Sequence, residues 1–210
     1  EPGQNRIDLS TIDGGYTYLS KKFEGTITIS KYFFSPESYN VRSEIEGSAQ
    51  ILAAYDLGFI KPTIEGTVNF TEKTDYAGML GLEHTFYALQ NDFSITPTLA
   101  ANGSTQNYYN AYYKFRRYSL LRLKRIIGYS ISAFVENAAQ FKILDYEFSL
   151  PVDYSIKRLT FSINPTYAVP VNAATVHATL TTLSGLKRTK IAKEKLKDSF
   201  FFTAGMAYSF

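Results

Sequence analysis

The side chains whose types and spacing could do chemistry are carboxylates, two histidines and two basic stretches. Glu24, Glu46, Asp56, Glu65, Glu83, Asp145 and Glu147 all fall where polar residues alternate with apolar ones. A period of two places such residues on one face of strands, and two carboxylates two apart, as in Asp145 and Glu147, have the spacing of a divalent-ion chelate. The blander reading is a network in which the carboxylates pair with Arg, Lys and Tyr, because enclosed charges need partners. His84 and His177 invite a hydrolase reading, but no G-x-S-x-G occurs. No catalytic residue, metal or cofactor is therefore assigned. Lys114, Arg116, Arg117, Arg122, Lys124 and Arg125 form one basic stretch, and Lys187, Arg188 and Lys190, continued by Lys193, Lys195 and Lys197, form another. Cations so grouped suit phosphates or an acidic partner, or simply solvate a loop.

The composition constrains what can position these groups. The 210 residues include 17 Tyr, 16 Phe and no Trp, and a hydrophobic share of 45% coexists with a mean hydropathy of only −0.15. Apolar residues are thus interleaved with polar ones. No run approaches the roughly 18–20 apolar residues of a membrane-spanning helix, whereas a spanning strand needs only about 9–11 alternating residues. The absence of cysteine excludes disulfides, zinc–thiolate sites and thiol nucleophiles. A net charge of +3 nominates no nucleic acid. Glu1 to Asn5 lack a basic region followed by an apolar core, which fits either a cytosolic protein or a mature chain whose signal peptide has been removed; the strand pattern favours the second.

Alternation predicts eight strands, at about 22–34, 43–57, 62–72, 76–89, 92–103, 139–152, 158–170 and 199–210. Residues 1–21 are expected as a periplasmic lead, whose polar first fifteen residues end in the Asp13-Gly14-Gly15 turn signal. Pro97 is expected to sit at a bulge, and Asp153 to Lys157 to turn. Residues 103–139 and 171–198 are long connections, and a further hairpin within 108–136 would raise the count to ten. An even count puts both termini on one side. Short turns and long loops then segregate to opposite ends, the long loops being extracellular and the basic stretches with them.

The final stretch, Asp198 to Phe210, alternates Phe200, Phe202, Ala204, Met206, Tyr208 and Phe210 with Phe201, Thr203, Gly205, Ala207 and Ser209. A terminal aromatic closing such a strand resembles the C-terminal signature of bacterial outer-membrane β-barrels, with Phe202, Met206, Tyr208 and Phe210 as the assembly signal. The strand pattern of residues 22–210 resembles the small OmpA, OmpX and OmpW type. The resemblance implies an all-β fold, a single antiparallel transmembrane barrel of eight strands in the outer membrane of a Gram-negative cell envelope. It also implies contact with outer-membrane lipid, lipopolysaccharide and the barrel-assembly machinery. Glu24, Glu46, Glu65, Glu83, Asp145 and Glu147 would then line the lumen as a network or ion pathway. The expected role is non-enzymatic, structural or interactive within a larger envelope complex. A narrow porin-like pore or small-ligand transporter is the alternative, and a lipid- or peptide-acting barrel enzyme the third reading.

Overall fold

The computed structural model describes residues 8–35, 38, 40, 42–112, 130–182 and 184–208. Strands dominate it: β1 (Leu9–Leu19), β2 (Phe23–Phe34), β3 (Gly47–Tyr55), β4 (Lys61–Phe70), β5 (Asp75–Glu83), β6 (Phe86–Ala88), β7 (Phe93–Ile95) and β8 (Thr98–Ser104) precede a short helix, α1 (Asn107–Tyr112). After it come β9 (Ser130–Val135), β10 (Lys142–Ser149), β11 (Val152–Ile156), β12 (Leu159–Pro170), β13 (Thr175–Thr181), β14 (Lys187–Lys193) and β15 (Ser199–Tyr208). Twelve of these strands form one sheet, and β14-β13-β9 form a second. Every pairing between them is antiparallel.

Among the described residues the large sheet is a meander of nine passes. β5 with β6, β7 with β8, and β10 with β11 are single passes interrupted near prolines, whose missing N–H breaks the ladder. Their carbonyls still accept: Pro97 from the His84 N–H, Pro151 from Thr96 and Pro165 from Leu150. Register is the same on both sides of each gap, so the bulge expected at Pro97 is instead a plain interruption. The bulge lies at Leu144, between Ile143 and Asp145. It turns Ile143 outward while bringing Asp145 and Glu147 to the same face as Asn102.

All eight expected strands are present, and the differences lie elsewhere. Residues 9–19, expected in a lead, form β1, paired along its whole length with β2. Asp13-Gly14-Gly15 is not a turn: Gly14 and Gly15 stand opposite Ile29 and Thr28 within the ladder. The turn expected over 153–157 is shorter: Val152–Ile156 form β11, and the chain reverses at Lys157 and Arg158. The long connections carry α1, β9, β13 and β14. With β1 included the count among the described residues is nine, and β1 starts at the long-loop end while β15 finishes at the short-turn end. Among the described residues β1 and β15 do not pair with each other, and the sheet is not closed.

The faces are inverted relative to a water-soluble sheet. On β2, Phe23, Ile27, Ile29 and Phe33 are exposed, while Glu24, Thr26, Thr28, Ser30 and Tyr32 are half-buried. Leu80 on β5 is 63% exposed and Met206 on β15 is 70% exposed. The buried apolar cluster of the described residues, Val135, Ala138 and Ala174, lies in the long-loop region and not under the sheet. Residues of β1, β2, β4, β5, β8 and β10 bound one cavity, so the sheet curls about its polar face.

Following partners across the sheet gives one row, Leu19, Glu24, Ala54, Thr63, Gly81, Ala100, Glu147, Ala168 and Ser199. It runs from the last residue of β1 to the first of β15, climbing the full strand length. That stagger is the shear that lets a sheet roll into a cylinder. Close strand contact within it can be tested at Gly47, where a Cβ would lie 2.5 Å from the Ser30 carbonyl oxygen. Gly47→Val should force β2 and β3 apart and cost about 1–3 kcal/mol, read as a lower urea midpoint. An unchanged midpoint would contradict this packing.

Candidate functional site

The polar face carries two clusters. Near the short-turn end, Glu24 of β2 and Glu83 of β5 flank Lys61 of β4, whose Nζ lies 3.0 Å from Glu24 Oε2 and 3.1 Å from Glu83 Oε1. Alternation turns all three inward, and the antiparallel register sets Lys61 directly opposite Glu83. Each side chain keeps about a third of its surface exposed, so the triad is a partly solvated ionic clasp across four strands.

The second cluster lines a cavity of about 490 Å³ nearer the long-loop end. Glu65 of β4 and Asp145 and Glu147 of β10 face it. Asn102 donates from Nδ2 to Asp145 Oδ1 at 2.6 Å, and Thr67 donates to Glu65 Oε1 at 3.1 Å. Arg42, Ile45 and Tyr108 bound the same cavity from the connecting segments. The Arg42 guanidinium lies 6.0 Å from the centre of the Tyr108 ring, a cation–π distance. Burial raises the Tyr108 phenol above its ordinary value, with the negative charge of Asp75 acting in the same direction and Arg42 opposing it.

Asp75 holds this boundary in place. Its side chain is fully buried, and its carboxylate accepts from Thr105 Oγ1, the Asn107 N–H and the Tyr108 N–H, each at 2.7 Å. The two N–H groups belong to the first turn of α1, where a helix leaves them unpaired, and the Thr105 hydroxyl precedes that helix by two residues. Neither Asp75 nor Arg42 stands out in the sequence. Asp75 reads there as part of a turn cluster, and it caps a helix thirty-two positions further on.

The other expected site residues distribute as follows. Glu46 does not face the interior: it is exposed beside Lys31, 3.5 Å away on the outer register. The bend before β3 takes it out of the strand alternation on which that expectation rested. Asp56, also expected inward, accepts from the Gly58 N–H in a surface turn. Lys187, Arg188 and Lys190 lie on β14, the exposed edge strand of the small sheet, where charge also deters edge pairing. Lys114, Arg116, Arg117, Arg122, Lys124, Arg125 and Phe210 lie outside the described residues. Phe202, Met206 and Tyr208 point outward from β15, opposite Pro165, Phe161 and Leu159.

His84 lies at the outer-face break after β5, its ring edge-on to Phe86 at 4.4 Å. His177 lies on β13 and not in a loop, stacked on Phe134 and 3.3 Å from Glu136. Among the described residues neither histidine is hydrogen-bonded to a serine or threonine hydroxyl, and no three carboxylate or imidazole groups converge as a metal site. No family model, curated protein or solved structure matches the chain.

Lys61→Met leaves two glutamates facing each other and should lower the unfolding free energy by about 1–2 kcal/mol, less than for a fully buried pair because water screens the clasp. Lys61→Arg should restore most of it, and equal stability of all three in a urea titration would dismiss the clasp. Asp75→Ala strands two N–H groups and a hydroxyl and should cost about 1–3 kcal/mol. Loss of hydrogen-exchange protection at Asn107 and Tyr108, with the β2–β3 ladder unaffected, is the expected signature.

Proposed function

We propose that the chain is an integral outer-membrane β-barrel protein with a non-enzymatic, structural or interactive role in the cell envelope. The observation that carries this reading is the inverted sheet: isoleucine, leucine, phenylalanine and tyrosine exposed along every pass, with Ser, Thr, Asn and carboxylates turned inward. A contiguous apolar surface of this extent is not stable in water, and in hydrocarbon it becomes the favourable side. The turn and loop asymmetry supports the same orientation, with Lys187, Arg188 and Lys190 on the outer side, suited to lipopolysaccharide phosphates or an acidic partner.

A narrow pore is the second reading, favoured by the acidic cavity at Glu65, Asp145 and Glu147. The boundary formed by Arg42, Ile45 and Tyr108 argues for the first. Since the chain lacks tryptophan, single reporters decide the membrane question. In vesicles of lipid brominated on its acyl chains, Leu80→Trp should be strongly quenched and Met79→Trp, one position along on the inner face, should not. Equal quenching, or none, overturns the membrane reading. In planar bilayers the protein should be silent, and a reproducible open channel would favour the pore.

A further inference from the structure

The cavity near the long-loop end is crossed by one row of directly paired inward residues: Glu65 on β4, Met79 on β5, Asn102 on β8 and Asp145 on β10. Glu147, two residues from Asp145 on the same face, lines it as well. Three carboxylates thus bound the cavity with a single guanidinium, that of Arg42, which lies 6.0 Å from the centre of the Tyr108 ring. Two negative charges remain to be met. Among the described residues no lysine, arginine or histidine nitrogen lies within 4.0 Å of Glu65, Asp145 or Glu147. Lys142, inward on β10, is not among the residues that line the cavity.

A second observation, independent of those charges, points to a ligand. Ser104 follows Asn102 by two residues on the inward face of β8 and lines the same cavity. It is only 7% exposed. Its polar neighbour is the Tyr108 phenol, yet its hydroxyl makes no hydrogen bond. A buried hydroxyl left unpaired is costly, and a donor entering the cavity would satisfy it.

The geometry of the acceptors defines the donor. Among the described residues no three carboxylates converge on a point as a metal site requires. Glu65 and Asp145 stand three strands apart, roughly 14 Å along a flat sheet and less across a curled one, with Met79 and Asn102 between them. What matches is a molecule with a cation at each end and an apolar middle. Lys61 shows how the same wall holds such a cation, its primary ammonium lying 3.0 and 3.1 Å from two glutamates.

We propose that this cavity binds an aliphatic diamine. One ammonium sits at Glu65, the other is shared by Asp145, Glu147 and the Asn102 amide oxygen, and the methylenes lie over Met79. The carboxylates reach inward from both ends of the row, which leaves room for about four to six carbons between the nitrogens. Ser104 accepts from the ammonium at the Asn102 end. These groups face inward whichever medium meets the outer face, so binding does not depend on the membrane reading.

The test is calorimetric titration of the refolded 210-residue chain with α,ω-diaminoalkanes of increasing length, with butylamine and with calcium chloride, at constant ionic strength. The expected result is saturable binding of one diamine, tightest at about four to six carbons, and about tenfold weaker for butylamine because one charge-assisted contact is lost. Glu65→Gln and Asp145→Asn should each weaken the best diamine by about tenfold on the same grounds, whereas Glu46→Gln, on the outer side, should leave it unchanged. Ser104→Ala separates binding from structure: it removes an unpaired hydroxyl, so the urea midpoint of the free protein should hold or rise while diamine affinity falls severalfold. Binding indifferent to chain length, equal competition by calcium, or full affinity in Glu65→Gln, Asp145→Asn or Ser104→Ala overturns the proposal. Where a variant fails to fold, the native protein decides alone, and the absence of saturable binding or of a length optimum is the overturning result.

Discussion

One continuous succession of strand pairings fixes which way every side chain of the large sheet points. From Leu19 on β1 to Ser199 on β15, each step is a hydrogen-bonded neighbour, so the face of any residue follows from the face of the one beside it. A slip of one residue anywhere would exchange the apolar and polar faces beyond it. The proline interruptions at Pro97, Pro151 and Pro165 preserve the count, which is why they remove donors without scrambling the sheet. The bulge at Leu144 is the place where the count changes, and it changes to good effect. Without it Lys142 and Asp145 could not both point to the polar side.

The polar interior follows from that ladder. Lys61, Glu24 and Glu83 are far apart in the chain yet fall at one level of three strands, where a single cation serves two carboxylates. Asp145 and Glu147 share a face by spacing alone, but Glu65 and Asn102 join them because the stagger carries their rows to the same cavity. The ladder ends before that cavity does. Segments outside it contribute Arg42, Ile45 and Tyr108, and Asp75 fastens the Tyr108 side by accepting from two N–H groups at the start of α1 and from the Thr105 hydroxyl before it. The clasp joins strands, whereas the Asp75 carboxylate joins the wall to a connecting segment.

Much of this was legible in the sequence and some was not, for reasons that differ by residue. Strands such as β2 and β12 announce themselves because a half-buried strand must alternate, whichever face is apolar. β1 was hidden because Gly14 and Gly15 carry a turn signal that is overridden by eleven residues of pairing with β2. Glu46 was misassigned because the alternation was extended past the start of β3, where its backbone still bonds Tyr32 and Phe70 but its side chain turns out to Lys31. The edge strand β14 reads as a charged loop, since its pattern of lysine and threonine has no buried face to display.

What the sequence by itself determined is the material of the wall: period-two alternation, inverted hydropathy and the carboxylates on its polar side. These are local properties, written in neighbouring residues. Only the tertiary structure decided that there are nine passes, that β1 and β15 run in the same direction, that Lys61 stands between two glutamates and that Asp75 caps α1. Each of these depends on which strands lie side by side and in what register, and that is set by pairings between residues tens of positions apart.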